Sequence, residues 1–324
     1  MVRGASEESE ASEGSAALIV VVGSLNADLV SRVAHLPAPG ETVPALAFDT
    51  YCGGKGGNQA CAAAKLGGRV ALVGCVGDDE AGRMLTESLR AAGADVSAVD
   101  VVSGVPSGTA LVTVDAAGQN QIIVVPGANQ ALTPDRLARH RDLLAAASVV
   151  LLQLEVPLET VRAAARMARA AGARVILDPA PAPPHPLPAD LLALLADVDY
   201  LTPNETELAS IAAGVSSPAI ADRAHAMLQR GAGSVIVTMG EAGADLIGRE
   251  RTHHWPALPT HVVDTTAAGD TFNAALAVAL ASGATIEEAG TFACAAASIS
   301  VSRAGAQASM PTLAEVRAIL PAPR

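Results

Sequence analysis

One carboxylate stands out by its neighbours. Residues 262–272 read V-V-D-T-T-A-A-G-D-T-F, and Asp270 follows Ala267, Ala268 and Gly269, which have little or no side chain. From Thr271 the chain continues as an apolar run to Leu280 that reads as a buried helix ending near Gly283. Val262 and Val263 predict a strand ahead of the turn. A strand, a small-residue turn and a helix start make an anion site, because the first helical amides lack partners and the dipole adds positive charge. Small residues let a phosphate approach the backbone. A carboxylate suits the helix dipole but repels a phosphate. Asp270 makes chemical sense if it takes the proton of whatever attacks the phosphate. A loop-closing N-cap aspartate is the competing reading.

Other polar residues fall where strands end. The β-rich run Leu18–Val22 leads through Gly23-Ser24 to Asn26 and Asp28, which alternate along an extended segment and so share a face. Later strands deliver Gln153 and Glu155 after Ser148–Leu154, Asp178 after Arg174–Leu177, Asn204 and Glu207 after Tyr200-Leu201, and Thr238 after Ser234–Val237. Gln153 apart, these residues with Asp264 and Asp270 make nine polar groups that converge on one edge of a parallel sheet, where open α/β folds bind ligands. The string G-G-K-G-G-N at 53–58 departs from the Walker A and dinucleotide-binding patterns. It reads as a second ligand-facing helix start, with Lys55 and Asn58 as donors and the helix over Ala60–Leu66.

The elements that must hold these groups alternate strand with helix. Further helices are expected over Asp79–Ala92, Pro134–Ala147, Pro157–Ala171 and Ile286–Ser302. That alternation implies right-handed crossovers and a largely parallel sheet covered on both faces. Short β pieces at Leu29–Val33 and Thr42–Tyr51, and a hairpin of Gly108–Val114 with Gln121–Val125, break the pattern and together suggest a lid.

Composition excludes several function classes. The 324 residues are 50% hydrophobic, carry a formal charge of −12 and are 2% aromatic. Nucleic acid is not an expected partner of such a chain. Four cysteines without a C-x-x-C pair imply a reduced, cytoplasmic protein without a zinc site. No run is long and apolar enough to predict a membrane span. Residues 1–16, rich in Ser, Glu and Ala, are expected to be a disordered tail.

Taken in order, the strings G-S-L-N-A-D (23–28), P-G-E-T (39–42), G-G-K-G-G-N-Q-A (53–60), Q-L-E-V-P (153–157), D-P-A-P-A (178–182), T-P-N-E-T-E (202–207), D-T-T-A-A-G-D-T-F (264–272) and G-A-Q (305–307) resemble those of the ribokinase-like carbohydrate kinases. The resemblance implies a three-layer α/β/α sandwich over 17–321, with a mostly parallel central sheet and a small β-sheet lid from about 29–51 and 106–126. It implies ATP-dependent phosphorylation of a sugar hydroxyl, with Mg²⁺ and a K⁺ activator, by a homodimer joined through the lid. Carried over by residue, Asn26, Asp28, Gly54, Lys55, Asn58 and Glu155 would hold the sugar. Asp270 would be the base and Ala267–Gly269 (with Ala268 between them) the anion hole. Asn204, Thr238, Gly240, Glu241 and Gly243 would line the nucleotide site, with Gly269, Asp270 and Cys294. Family members often carry Asn or His where this chain has Cys294, and a thiol cannot make the same hydrogen bonds. Glu207 would help hold Mg²⁺ through water. Asp264, Thr266, Ser300, Arg303, Gly305 and Ser309 would form the potassium site.

The Asn26/Asp28 pair suits vicinal hydroxyls, which puts D-ribose, phosphorylated at its 5-hydroxyl, first among substrates. Kinases for 2-deoxyribose, fructose or adenosine, and a non-catalytic sugar-binding regulator, are the alternatives. A dinucleotide-dependent oxidoreductase would need a G-x-G-x-x-G after the first strand, which residues 23–28 lack.

Overall fold

The computed structural model describes residues 17–183 and 186–320. The expected tail at 1–16, and Pro321 at the end of the expected domain, lie outside the described residues. In chain order the strands are β1 (Leu18–Val22), β2 (Asn26–Arg32), β3 (Ala47–Gly53), β4 (Arg69–Gly77), β5 (Val99–Val102), β6 (Gly108–Val114), β7 (Asn120–Val125), β8 (Ala147–Leu152), β9 (Arg174–Leu177), β10 (Tyr200–Leu201), β11 (Ser234–Thr238), β12 (Ala244–Ile247) and β13 (Thr252–Trp255). The α-helices are α1 (Lys55–Lys65), α2 (Glu80–Ala92), α3 (Pro134–Ala138), α4 (Arg141–Ala145), α5 (Leu158–Ala170), α6 (Ala189–Leu194), α7 (Glu205–Ile211), α8 (Ile220–Gln229), α9 (Ala268–Ala281), α10 (Ile286–Ser300) and α11 (Leu313–Ile319).

Nine strands form the central sheet in the order β13-β12-β11-β10-β9-β8-β1-β4-β5. From β5 to β11 neighbours run parallel; β12 and β13 finish one edge antiparallel. The sheet is apolar on both faces, as a parallel sheet under helices must be. Alternate residues serve opposite cores. Ile19 and Val21 pack with α1, α9 and α10, while Leu18, Val20 and Val22 pack with α5 and its neighbours. The result is the expected three-layer sandwich.

The second sheet has four strands in the order β3-β2-β6-β7. Two hairpin-like pairs, β2 with β3 and β6 with β7, are stitched together by a parallel pairing of β2 with β6. That pairing starts with Asn26 opposite Gly108. The β pieces thus join into one small lid sheet, as expected, mixed rather than all antiparallel, and its first strand begins at Asn26.

Four expectations need correction. Val262 and Val263 form no strand; both are exposed, and Val263 only donates its N–H to the Val301 carbonyl at 2.8 Å. Pro256 and Pro259 follow β13 and remove the donors a continuing strand would need. The helix expected from Ala60 starts at Lys55, so its first turn is built from the glycine-rich string itself. The strand expected from Thr42 starts at Ala47, beyond Pro44. The helix expected over Pro134–Ala147 is two short helices broken at Arg139-His140, the first capped by the Thr133 side chain. Elements between the recognised strings, such as β5, α6 and α8, had no reading in the sequence.

Candidate active site

The start of α1 comes against the β1–β2 turn so closely that side chains have no room. Gly54 holds the turn before α1 at a left-handed φ of 81°. Gly57 N–H donates to the Ser24 carbonyl at 2.8 Å. No side chain of Gly54 can cap the helix, and Glu155 does so from the far end of β8. Its Oε2 accepts the Lys55 N–H at 3.0 Å and the Ser24 hydroxyl at 2.5 Å. A carboxylate at a helix N-terminus is favoured by the dipole.

Asn26 and Asp28 reach the same space from β2. The Asn26 Oδ1 accepts from Asn129 Nδ2 at 2.7 Å, which orients the Asn26 amide and leaves its nitrogen to donate. Asn129 is itself locked to both backbone groups of Leu25. Its role was invisible in the sequence, because it lies in a loop about a hundred positions away with no motif around it. The Asp28 carboxyl lies over Gly53, where an added Cβ would come within 2.1 Å of Oδ2. Burial, then the charges of Glu155 and Asp270, push Asp28 up to about 7.

Asp270 is the third residue of α9 and 5% exposed. Its Oδ2 accepts from Asn58 Nδ2 at 3.0 Å and its Oδ1 from Gln59 Nε2 at 3.2 Å. Gln59 also donates to Asp178 Oδ2 at 3.0 Å, and Lys55 Nζ stands 3.6 Å from that oxygen. Burial pushes Asp178 up to about 7 although Lys55 opposes it. Burial would lower Lys55, but Asp178, Asp270, Glu155 and Glu207 outweigh it and the amine is raised. Lys55 is thus the cation of an acidic cluster. Gln59 and Asp178 stood in the recognised strings, yet neither was assigned a role.

The anion hole is less even than expected. Ala267 turns into the helix at a left-handed φ of 59°. Of the three amides at 267–269, the Ala268 N–H is engaged with the Thr265 carbonyl at 3.2 Å. Nothing lies within 4 Å of where a Gly269 Cβ would point. Against this helix start opens a cavity of about 520 Å³, lined by Thr238, Gly240, Glu241, Gly243, Gly269, Phe272, Cys294 and Ser298 among others. Most of the expected nucleotide residues therefore share one cavity. Asn204 sits beside it, bridged to Thr238. Its side chain caps α7 by accepting the Glu207 N–H at 2.8 Å, and Glu207 Oε2 accepts the Asn204 N–H at 2.9 Å. Both residues thus have a capping role, and the capping box occupies one of the two Glu207 carboxylate oxygens.

Asp264 clasps the loop before α9. Its Oδ1 accepts from the Thr266 N–H and hydroxyl at 2.9 and 2.6 Å, and its Oδ2 from the Gly305 N–H at 2.9 Å. Burial opposes its ionisation, but these donors outweigh burial and hold it below the ordinary value. Ser300 and Ser309 are buried, with hydroxyls on nearby carbonyls, and Arg303 pairs with Glu315 at 2.5 Å. Among the described residues no group of three or more His, Cys, Asp or Glu could hold a metal. The four cysteines are free thiols, and burial pushes each up, Cys61 and Cys75 to about 11 and Cys294 to about 12. No helix among the described residues is long and apolar enough to cross a membrane.

The comparisons with known proteins agree with this geometry. The ribokinase of Bacillus subtilis is 40% identical over 302 residues, which is 93% of this chain and 99% of that protein. The deoxyribokinase of Salmonella typhi is 37% identical over 298 residues, covering 91% and 96%. The structure of Arabidopsis thaliana ribokinase complexed with ribose and ATP superposes with a TM-score of 0.86 at 37% identity, over 94% of this chain and 98% of that one. A profile of the pfkB family carbohydrate kinases matches residues 16–313. With a family profile spanning nearly the whole chain and ribokinases this similar over more than nine tenths of it, the chain is an ATP-dependent kinase and belongs to the pfkB family of carbohydrate kinases.

Proposed function

We propose that the protein transfers the γ-phosphoryl group of ATP to the 5-hydroxyl of D-ribose, with Asp270 as general base. The observation that carries this reading is the placement of Asp270, buried and held by two amides, between the Asn26/Asp28 side and the cavity at the α9 start. The sugar O–H bond breaks toward Asp270, an O–P bond forms, and the bond from the γ-phosphorus to the ADP oxygen breaks. The amides from Gly269 onward face the charge that grows on the transferring group. Asn26 donates to, and Asp28 accepts from, neighbouring sugar hydroxyls. Lys55 balances the surrounding carboxylates.

Glu207, through its spare oxygen and a water, would hold Mg²⁺, which would supply charge neutralisation on the phosphates. Asp264, with hydroxyl and carbonyl oxygens of Thr266, Ser300, Arg303, Gly305 and Ser309, is an oxygen set of low charge that suits a monovalent cation such as K⁺. ATP consumption with ribose, 2-deoxyribose, fructose and adenosine, each in KCl and in NaCl, tests both readings. Ribose is expected to give the highest kcat/KM, and K⁺ a several-fold faster rate than Na⁺. A preference for 2-deoxyribose would favour the activity of the Salmonella relative; equal rates in the two salts would remove the cation site.

Sugar binding should follow pH. Asp28 titrates near 7 in the sugar-free protein and accepts two hydroxyls only when ionised. The KM for ribose is therefore expected to rise as pH falls from 8 to 6, and Asp28→Asn to abolish that slope. A flat KM in the unmodified protein would remove Asp28 from sugar recognition.

The lid supports a homodimer. Every residue of β7 is exposed, with Ile123 64% accessible, and Phe48 of β3 is 61% accessible. Such an apolar sheet seeks a partner surface. Light scattering is expected to give a dimer, and Ile123→Glu a monomer. A monomer for the unmodified chain would end this reading. The four free thiols suit a reducing compartment such as the cytoplasm.

A further inference from the structure

A buried carboxylate used as a base must be kept both ionised and aimed. Asn58 accounts for one oxygen of Asp270. The other is held by Gln59, one residue further along α1 and fully buried. Its amide has two N–H donors and one carbonyl, and all three are engaged. Nε2 reaches Asp270 Oδ1 at 3.2 Å and Asp178 Oδ2 at 3.0 Å, while Oε1 accepts from Gln153 Nε2 at 2.5 Å. The Gln153 bond prevents the amide from turning its oxygen toward the carboxylates. Gln153 gives up its own Oε1 for this. That atom is buried without a partner among the described residues and lies over Gly23, where a Cβ would come within 2.0 Å. An orphaned acceptor is costly, and it marks an arrangement kept for something other than stability.

We propose that Gln59, locked by Gln153, is the positioning residue of the general base. It fixes the Asp270 carboxylate toward the sugar hydroxyl and ties it through Asp178 to Lys55. The inference rests on the reading of Asp270 as the base.

Gln59→Met keeps the volume and removes both donors. Losing a hydrogen bond to a charged group predicts a fall in kcat of about 10- to 100-fold. The acidic limb of the kcat–pH profile should move to higher pH, with ADP affinity by titration calorimetry within about twofold. Gln153→Met leaves the donors and removes the lock, and should move the limb the same way by less. In an Asp270→Asn background, Gln59→Met should cost little more, because both act on one group. A wild-type limb in Gln59→Met overturns the inference, even if kcat falls, since a structural defect alone would leave the profile in place. Should Gln59→Met not fold, an unmoved limb in Gln153→Met overturns it instead. Full activity in Asp270→Asn would sink the base reading itself; an inactive Asp270→Asn with an unmoved Gln59→Met limb would sink only this inference.

Discussion

Asp270→Asn is expected to lower kcat by about 10³-fold, within the range that a positioned base contributes, and to leave the fold and sugar binding nearly intact. The side chain keeps its shape. It still presents one carbonyl to the donors Asn58 and Gln59, and one hydrogen bond to a charged acceptor is lost, worth about 1.5–3 kcal/mol. Against that loss stands relief of the acidic cluster, since Asp28 and Asp178 both feel the Asp270 charge. Thermal melting and ribose titration of the purified variant check stability and binding, and steady-state kinetics checks kcat. A variant with more than about a tenth of the normal kcat would contradict the role.

Gly54→Ala is expected to lower kcat/KM for the sugar by more than 100-fold, or about 3 kcal/mol at the transition state, and to lower the melting temperature measurably. Two costs combine there. A left-handed φ costs a residue with a Cβ about 1–2 kcal/mol. The new Cβ would also stand 2.6 Å from Asn26 N and 2.9 Å from Leu25 Cα, and both are backbone atoms that cannot turn aside. Whichever strand yields, Asn26, the Lys55 N–H and Glu155 lose register together. Gly40→Ala is the control. Gly40 has a similar φ of 83° with nothing within 4 Å, so it carries only the conformational cost. Circular dichroism melts and kinetics of the pair separate the two contributions. Equal effects in both variants would show that the close approach at Gly54 does not matter.

The sequence made the scaffold legible because its signals are local. β1 is apolar along its whole length, the helix after Asp270 is small and apolar, and polar residues such as Asn26, Glu155, Asp178 and Asn204 follow within a few positions of the ends of β1, β8, β9 and β10. Those features required the parallel sheet and its polar edge. What stayed hidden depends on contacts across the chain. Asn129 orients Asn26 from 103 positions away, and Glu155 caps α1 from 100 positions away. Neither partner carries a local mark of its role. Gln153 stands at a strand end with Glu155, but nothing local sets Gln59 against Asp270 or Gln153 against Gln59, which lies 94 positions away. The missing strand at Val262 failed for the opposite reason. β-branched residues there satisfied local propensity, but no neighbouring strand offered them a ladder. At Asn204 and Glu207 the sequence signal is also that of a helix cap, and the capping box uses only one oxygen of Glu207, which leaves room for the ligand role proposed above.

The inertness of the sulfur chemistry has a practical use. A thiol kept protonated by burial reacts sluggishly with alkylating agents, and the four native cysteines are all in that condition to different degrees. A single Ala117→Cys at the exposed tip of the β6–β7 hairpin would take up a maleimide dye ahead of them. Fluorescence from that one label could then follow the movement of the cover in an otherwise unaltered enzyme.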